Sequence, residues 1–369
     1  MTERERFVRT LTYGVPDRPS YGDYFGYDAT RERWEREGMP KGLDRNGLFQ
    51  FFGFDSIDIW GEQSLQVNNG LVPPFEMLIL EETDRYILQR NSDGAVTKTL
   101  KNLPPPAMPQ FVSYPVTDRK SWQKWVKRHN PDTAGRLPEN LPEIAENSQG
   151  RTVPLVAWLG GTYGYIRSLM GVENASYLFY DDPELLEEMI EHFTVFYTSL
   201  AHKIFSAGVQ LDAVVFWEDM AYKTGPLVSP AMYRRYCFSF YTTMVNLCRE
   251  NGVNVFIMDS DGNIDELIPV WLDAGINVMH PMEVAAGMDV RKVHRAYGKN
   301  VAFLGGIDKR ALVSGPKTID EEVVPKMKEM EKSGGGFIVE CDHAVPPDVS
   351  LENYIYFRTL VKNFPNKGK

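Results

Sequence analysis

Acidic and imidazole side chains collect directly behind short apolar runs of this chain. The run at 213–216 leads into Trp217-Glu218-Asp219, that at 253–258 into Asp259-Ser260-Asp261-Gly262, and that at 277–279 into His280-Pro281 with Glu283 beyond. The run at 301–304 leads into Gly305-Gly306-Ile307-Asp308-Lys309-Arg310, and that at 337–339 into Glu340-Cys341-Asp342-His343. Carboxylates and imidazoles transfer protons or hold cations. Asp259 and Asp261 stand two apart at the end of an extended run, so both can face one side. Two like charges that close raise one pKa unless a cation lies between them. The pair therefore points to a general acid or to metal ligands. A local account competes with this one. Asp after a strand turns the chain and caps the next helix, and Asp261 or Asp308 taken singly needs no other reason. That account covers the adjacent Glu218-Asp219 and the alternating Asp259 and Asp261 less well when all are taken together.

Of six histidines, His343 and His280 follow apolar runs, whereas His192, His202 and His294 fall in helical text and His129 in a lysine-rich segment. His343 has the better claim to chemistry; His280 reads equally as a site group or a satisfied core histidine. The string from Asp259 to Glu266 is not an EF-hand loop, because its glycine falls fourth where that loop needs it sixth. Gly160-Gly161-Thr162-Tyr163-Gly164 follows an apolar run and opens a helix; it reads as tight-turn glycines or as an anion cradle. Tyr24, Trp60, Trp158, Tyr163, Trp217 and Tyr222 can wall a pocket or fill a core. Lys309 and Arg310 can meet an anionic group or simply start a helix.

These residues need a frame that brings strand ends together. From 152 onward, apolar runs at 153–159, 213–217, 253–258, 277–279, 301–304 and 336–339 alternate with helical patterns at 183–205, 229–250, 263–274, 290–297 and 319–332. Ser229-Pro230 and Asp182-Pro183 are helix starts, and Gly252, Gly275, Gly298 and Gly334 are helix stops. Strand and helix in alternation predict a parallel sheet, and eight such units close a barrel whose chemistry sits at the strands' C-terminal ends. A seventh strand is expected at 55–60, where apolar and polar residues alternate. Before the alternation begins, the chain reads as a helix at 2–11, an antiparallel excursion between 76 and 100 turning at Ser92-Asp93-Gly94, a proline loop at 103–109 and a helix at 121–129. The expected fold is an α/β, (β/α)8 TIM-type barrel, distorted, with an N-terminal helical and antiparallel extension. It is read as one domain over 1–369, with 1–150 as the extension and 151–369 as the main repeats.

The 369 residues carry a net charge of −10, which disfavours a phosphate backbone as partner and leaves a small molecule. Three cysteines without a CxxC pair make neither a disulfide framework nor a closed zinc site. The charged N-terminus and the absence of a long apolar run predict a cytoplasmic protein.

Several of these motifs together resemble the uroporphyrinogen decarboxylase superfamily. They are the opening Met1-Thr2-Glu3-Arg4-Glu5-Arg6-Phe7 with Pro16-Asp17-Arg18-Pro19, the Trp217-Glu218-Asp219 strand end, Gly305-Gly306-Ile307-Asp308, and the closing Val345-Pro346-Pro347-Asp348-Val349-Ser350-Leu351-Glu352-Asn353-Tyr354. The resemblance runs over nearly the whole chain and is most specific in the C-terminal third. It implies a distorted (β/α)8 barrel and one of two chemistries, decarboxylation in haem synthesis or methyl transfer involving a corrinoid.

Two departures favour the second branch. The arginine-bearing Met-Arg-Gln-Ala-Gly-Arg stretch of the decarboxylases is replaced by Tyr21-Gly22-Asp23-Tyr24-Phe25-Gly26-Tyr27-Asp28, a poor match to a polyanionic tetrapyrrole. The His-x-Cys-Gly and Cys zinc ligands of the thiol-directed methyltransferases align with Asp259-Ser260-Asp261-Gly262 and His343, so the thiolates are lost. Asp259, Asp261 and His343 then suit zinc, a harder divalent cation, or proton transfer without a metal. The resemblance implies Asp261, His343, Glu218 and Asp219 as catalytic groups and Tyr24, Tyr163, Trp217, His280 and Lys309 as substrate contacts. The expected activity moves a methyl group from a small methylated substrate to a corrinoid on a separate protein, cobalamin not being bound by this chain alone. The alternatives are a decarboxylase or lyase acting on a small acid, and a binding barrel without catalysis.

Overall fold

The computed structural model describes residues 1–57, 59–61, 64–103 and 108–364. Seven parallel strands form its central sheet in chain order: β1 (Ser64–Leu65), β2 (Val156–Trp158), β3 (Ala213–Trp217), β4 (Val255–Asp259), β5 (Val278–His280), β6 (Ala302–Ile307) and β7 (Phe337–Cys341). Strand alternation divides their side chains between two cores. Val156, Ala213, Val215, Val255, Ile257, Val278, Ala302, Leu304 and Ile338 share one buried interior cluster. The alternate residues, among them Val214, Phe216, Phe256, Met258, Met279, Phe303 and Val339, pack outward with the helices. Phe7 and Leu11, on the helix Glu3–Leu11, join the interior cluster. This sorting is that of a TIM-type α/β barrel.

Six of the seven strands fall where hydrophobic runs predict them. The first does not: the expected strand at 55–60 is absent among the described residues, and β1 lies at Ser64–Leu65 instead. Its alternation is nonetheless expressed, because Ile57 and Ile59 add to the interior cluster. The Asp55 carboxylate accepts from Arg6, Arg18 and the Tyr21 amide, so this segment is tied by a side chain and not by a ladder. Among the described residues no ladder joins β7 to β1.

Outside the sheet, Pro183–Ser206 and Pro230–Glu250 are the longest helices, each starting on its capping Asp182 or Ser229 and a following proline. The helix expected at 263–274 is confined to Ile268–Asp273. Helices at Asp28–Arg36, Arg45–Phe52, Leu141–Ser148, Val172–Asp181 and Leu351–Asn363 are additional to those read from the sequence, and the helix expected after the glycine turn runs over Tyr163–Met170. The N-terminal excursion is a four-stranded antiparallel sheet over Leu78–Glu82, Tyr86–Arg90, Val96–Leu100 and Gln110–Ser113. Residues 104–107 of the expected proline loop lie outside the described residues. No helix among the described residues is long and apolar enough to cross a membrane.

Candidate functional site

The inward rows of the barrel end in a layer of polar and aromatic residues. One step above Val156, Val215, Ile257, Val278 and Ile338 come Trp158, Trp217, Asp259, His280 and Glu340, all at the C-terminal ends of their strands. Asp259 and His280 face each other across the β4–β5 ladder and are buried, with Nδ1 2.8 Å from Asp259 Oδ1. The Trp60 ring lies 5.5 Å from the His280 ring, 4.9 Å from Tyr24 and 4.5 Å from Trp158. Trp60, Trp158, Tyr165, Asn69 and the 64–67 segment line an open cleft of about 310 Å³ beside this layer.

Above Asp259 the chain leaves the strand, and Asp261 stands at the rim. Its amide donates to Asp219 Oδ1 at 3.2 Å, and its Oδ2 lies 3.9 Å from His343 Nε2. His343 stacks on Tyr27 with ring centroids 6.1 Å apart. Lys309 Nζ sits 3.7 Å from Asp342 and 3.8 Å from Glu283, and Arg167 approaches Asp219 at 3.6 Å while covering the Trp217 ring. The rim is thus acidic, and each of its two cations already faces a carboxylate. Asp261 feels this most: burial, then Asp219, Asp259 and Glu283, push its carboxyl up to about 8 against the pull of Lys309. Burial also raises Asp219, with Asp259 adding to it, and lowers His343, helped by Lys309. These shifts favour a protonated Asp261 and a neutral His343 at neutral pH, and the 3.9 Å between Oδ2 and Nε2 leaves the two groups close but not directly hydrogen-bonded. Asp219 and Met282, both just past strand ends, carry φ of 45° and 60°, a left-handed strain of the kind that collects at working sites.

The structure distributes the sequence-derived candidates over three levels. Asp261, Asp219, His343 and Lys309 share the rim; Asp259, His280, Trp217 and Tyr24 belong to the layer beneath. Glu218 is fully buried and lies outside the mouth. Its carboxylate accepts from Thr162 N and Oγ1 at 2.8 and 2.7 Å, from Gly164 N at 2.7 Å, from Tyr233 at 3.2 Å and from Tyr241. The Gly160–Gly164 turn wraps a carboxyl of the chain itself, Glu218, at a helix N-terminus. A side chain at Gly161 or Gly164 would collide with the carbonyl oxygens of Trp217 and Glu218. Tyr163 is also fully buried, its hydroxyl 3.4 Å from Ser176, so in this conformation it cannot touch a ligand in the mouth.

The expected metal set is not assembled. Asp259 turns to His280 rather than to Asp261 and His343, and among the described residues no three His, Cys, Asp or Glu side chains converge as a ligand group. As arranged, Asp259, Asp261 and His343 do not offer a metal a common site. Arg167 is the rim residue that sequence reasoning missed. Its one signal is its place in the helix that follows the glycine turn, where a βα loop faces a barrel's mouth.

Fold and mouth together define a (β/α)-barrel protein with its ionisable groups at the C-terminal face. Residues 102–364 match the uroporphyrinogen decarboxylase (URO-D) family, and the chain belongs to it. Among solved structures, a methyltransferase from Methanosarcina mazei superposes with a TM-score of 0.62 at 16% identity over 99% of both chains, a likeness of fold. A 7,8-dihydropteroate synthase from Vibrio fischeri ES114 shares 13% identity over 67% of this chain and 87% of that one, with a TM-score of 0.17 that carries no argument. No curated protein matches the chain.

Proposed function

We propose that the protein is a methyltransferase-like enzyme that removes a methyl group from a small, neutral or cationic methylated substrate bound at the barrel mouth. The observation that carries this reading is Asp261, a carboxyl held protonated near neutral pH in an acidic, aromatic-walled mouth. The bond from the methyl carbon to its oxygen, nitrogen or sulfur breaks and the electron pair stays on the heteroatom; a neutral substrate then leaves an anion that takes the Asp261 proton, whereas a cationic one leaves a neutral amine or thioether. His343, neutral and 3.9 Å away, returns a proton to Asp261 from solvent. A corrinoid carried by a separate protein, when docked at the mouth, would supply the nucleophile for the methyl group. Aromatic faces at Trp60, Trp158 and Tyr24 suit a methylated ligand, and the acidic rim repels a polycarboxylate.

Decarboxylation of a small acid is the second reading. It is favoured by Lys309, which faces the mouth and can hold one carboxylate, and it would use the same proton donor on the carbanion. Incubation with free cob(I)alamin and a panel of methylated amines, ethers and thioethers separates the two. Methyl transfer that disappears in Asp261→Asn supports the first reading. Release of carbon dioxide from small acids without methyl transfer replaces it with the second. Calorimetric binding without turnover in either assay leaves a binding barrel.

A further inference from the structure

A half-open pocket of about 120 Å³ lies on the outer side of β7, with the barrel wall between it and the mouth. Val15, Pro16, Met327, Met330, Phe337 and Val339 give it an apolar lining. An apolar cavity of roughly 150 Å³ admits benzene, so a pocket of this size that is open on one side has room for one ring or a short branched chain. Three charged residues border it, and two of them are already satisfied. Asp17 accepts from Arg6 at 2.8 and 3.0 Å, and Arg18 forks onto Asp55 at 2.8 and 2.6 Å. The third is Glu331, whose Oε1 is shielded from solvent and has no hydrogen-bond partner among the described residues. Such an orphaned oxygen costs about 1–3 kcal/mol, and more when it is charged. Glu331 is also the last residue of the helix Pro316–Glu331, the end at which the helix dipole disfavours an acid. Neither the helix nor an internal partner accounts for its place. At the rim, Val15 is 67% exposed and holds a φ of 52°, a left-handed conformation that a β-branched residue rarely takes. Strain of this kind gathers at ligand sites.

We propose that this pocket binds a small primary amine with an apolar body of one ring or a short branched chain, its ammonium on Glu331 Oε1 and its body against Met327, Met330 and Phe337. The charge balance selects the ammonium. Asp17 and Arg18 are paired, so the lining offers one unmatched carboxylate and no free cation for a carboxylate or phosphate ligand. The apolar walls select the body, and its hydrocarbon displaces water from Met330 and Phe337 while the ammonium supplies the charge-assisted bond that Glu331 lacks. None of the pocket's residues belongs to the mouth, so the site is independent of methyl transfer.

Calorimetric titration of the full chain with benzylamine tests the site, with benzyl alcohol and benzoate as probes of similar shape that lack the ammonium. Benzylamine is expected to bind at one site with a Kd on the order of 0.1–1 mM, and the other two at least about tenfold more weakly. Glu331→Gln keeps the side-chain outline at a half-buried position and is expected to weaken benzylamine by a similar factor. Asp261→Asn, in the mouth, is expected to leave this binding unchanged; circular dichroism checks that both variants fold. Hydrogen exchange of the wild type is expected to slow in segments 15–19 and 331–337 when benzylamine is bound. Absence of saturable binding by about 10 mM benzylamine overturns the proposal. So does benzoate binding as tight as that of benzylamine, binding that Glu331→Gln leaves intact, or binding lost in Asp261→Asn, which would move the amine to the mouth.

Discussion

Replacing Glu218 with Gln keeps the outline of the side chain but exchanges one acceptor oxygen for an NH2 group. Four of the five donors, Thr162 N and Oγ1, Tyr233 and Tyr241, meet Oε1, and Gly164 N meets Oε2 at 2.7 Å. The amide oxygen takes the crowded side, so the new NH2 faces the Gly164 N–H. One bond is lost and buried donors are left unpaired, at about 1–3 kcal/mol. The remaining donors exchange an ionised acceptor for a neutral one and lose roughly 2 kcal/mol more between them. The expected loss is about 3–5 kcal/mol, a large share of a stability on the order of 5–15 kcal/mol. Thermal unfolding followed by circular dichroism should show a midpoint lower by about 5–10 °C. Hydrogen exchange at Thr162 and Gly164 should quicken in step. Burial raises the Glu218 pKa while these donors pull it back, and a loss of this size is that of an ionised carboxylate. An unchanged midpoint with unchanged exchange would mean that the carboxyl is held protonated, and the cradle reasoning would fall.

Asp261, raised to about 8, makes turnover fall as pH rises through that value, and Asp261→Asn should cost about 10²–10⁴-fold while flattening the profile; an unaltered pH–rate curve in the variant would remove it as the donor. The same shift acts on stability. The native state binds a proton that the unfolded chain releases, so stability declines as pH rises from 3.8 to about 8, and Asp261→Asn should gain on the wild type at pH 9 but not at pH 4. His129 and His192, 2.9 Å apart and largely buried, titrate in the opposite direction. Burial lowers them from 6.5 to about 3 and about 4, so they fold neutral, and stability falls as pH drops below 6.5. At pH 5 each ring costs about 2 kcal/mol by linkage. Urea midpoints of wild type and His192→Leu should diverge between pH 7 and 5, and parallel curves would refute the buried-pair account.

The barrel is legible in the sequence because its strands are buried on both faces and stand out as apolar runs. Each run ends where a polar residue meets the mouth, which locates Asp219, Asp259, Asp261, His280, Lys309 and His343 together. Local pattern cannot show partners that arrive from far along the chain. Glu218 reads as a catalytic acid because it stands next to Asp219, yet one residue of offset turns it away from the mouth. There Thr162 and Gly164 of the glycine turn and Tyr233 and Tyr241 of the helix Pro230–Glu250 close over it. Tyr163 is misplaced for the same reason, since the glycine turn packs so closely on β3 that the first residue of its helix is driven into the core.

The i, i+2 argument for Asp259 and Asp261 holds only while the chain remains extended, and β4 ends at Asp259. Asp259 therefore stays in the inward row and meets His280, the residue that β5 supplies at the same height. Asp261 is lifted onto the rim by the turn through Ser260, and among the described residues His343 is the one basic group within ion-pair distance of it. Lys309 and Arg167 are drawn instead to Asp342, Glu283 and Asp219. A polyanionic substrate would have to take both cations from carboxylates that then lose their partners, in a mouth where the remaining charge is also negative. A neutral or cationic substrate asks for no such exchange. Either leaves Asp261 free to keep its proton, and with a neutral substrate the departing atom develops the negative charge that draws it.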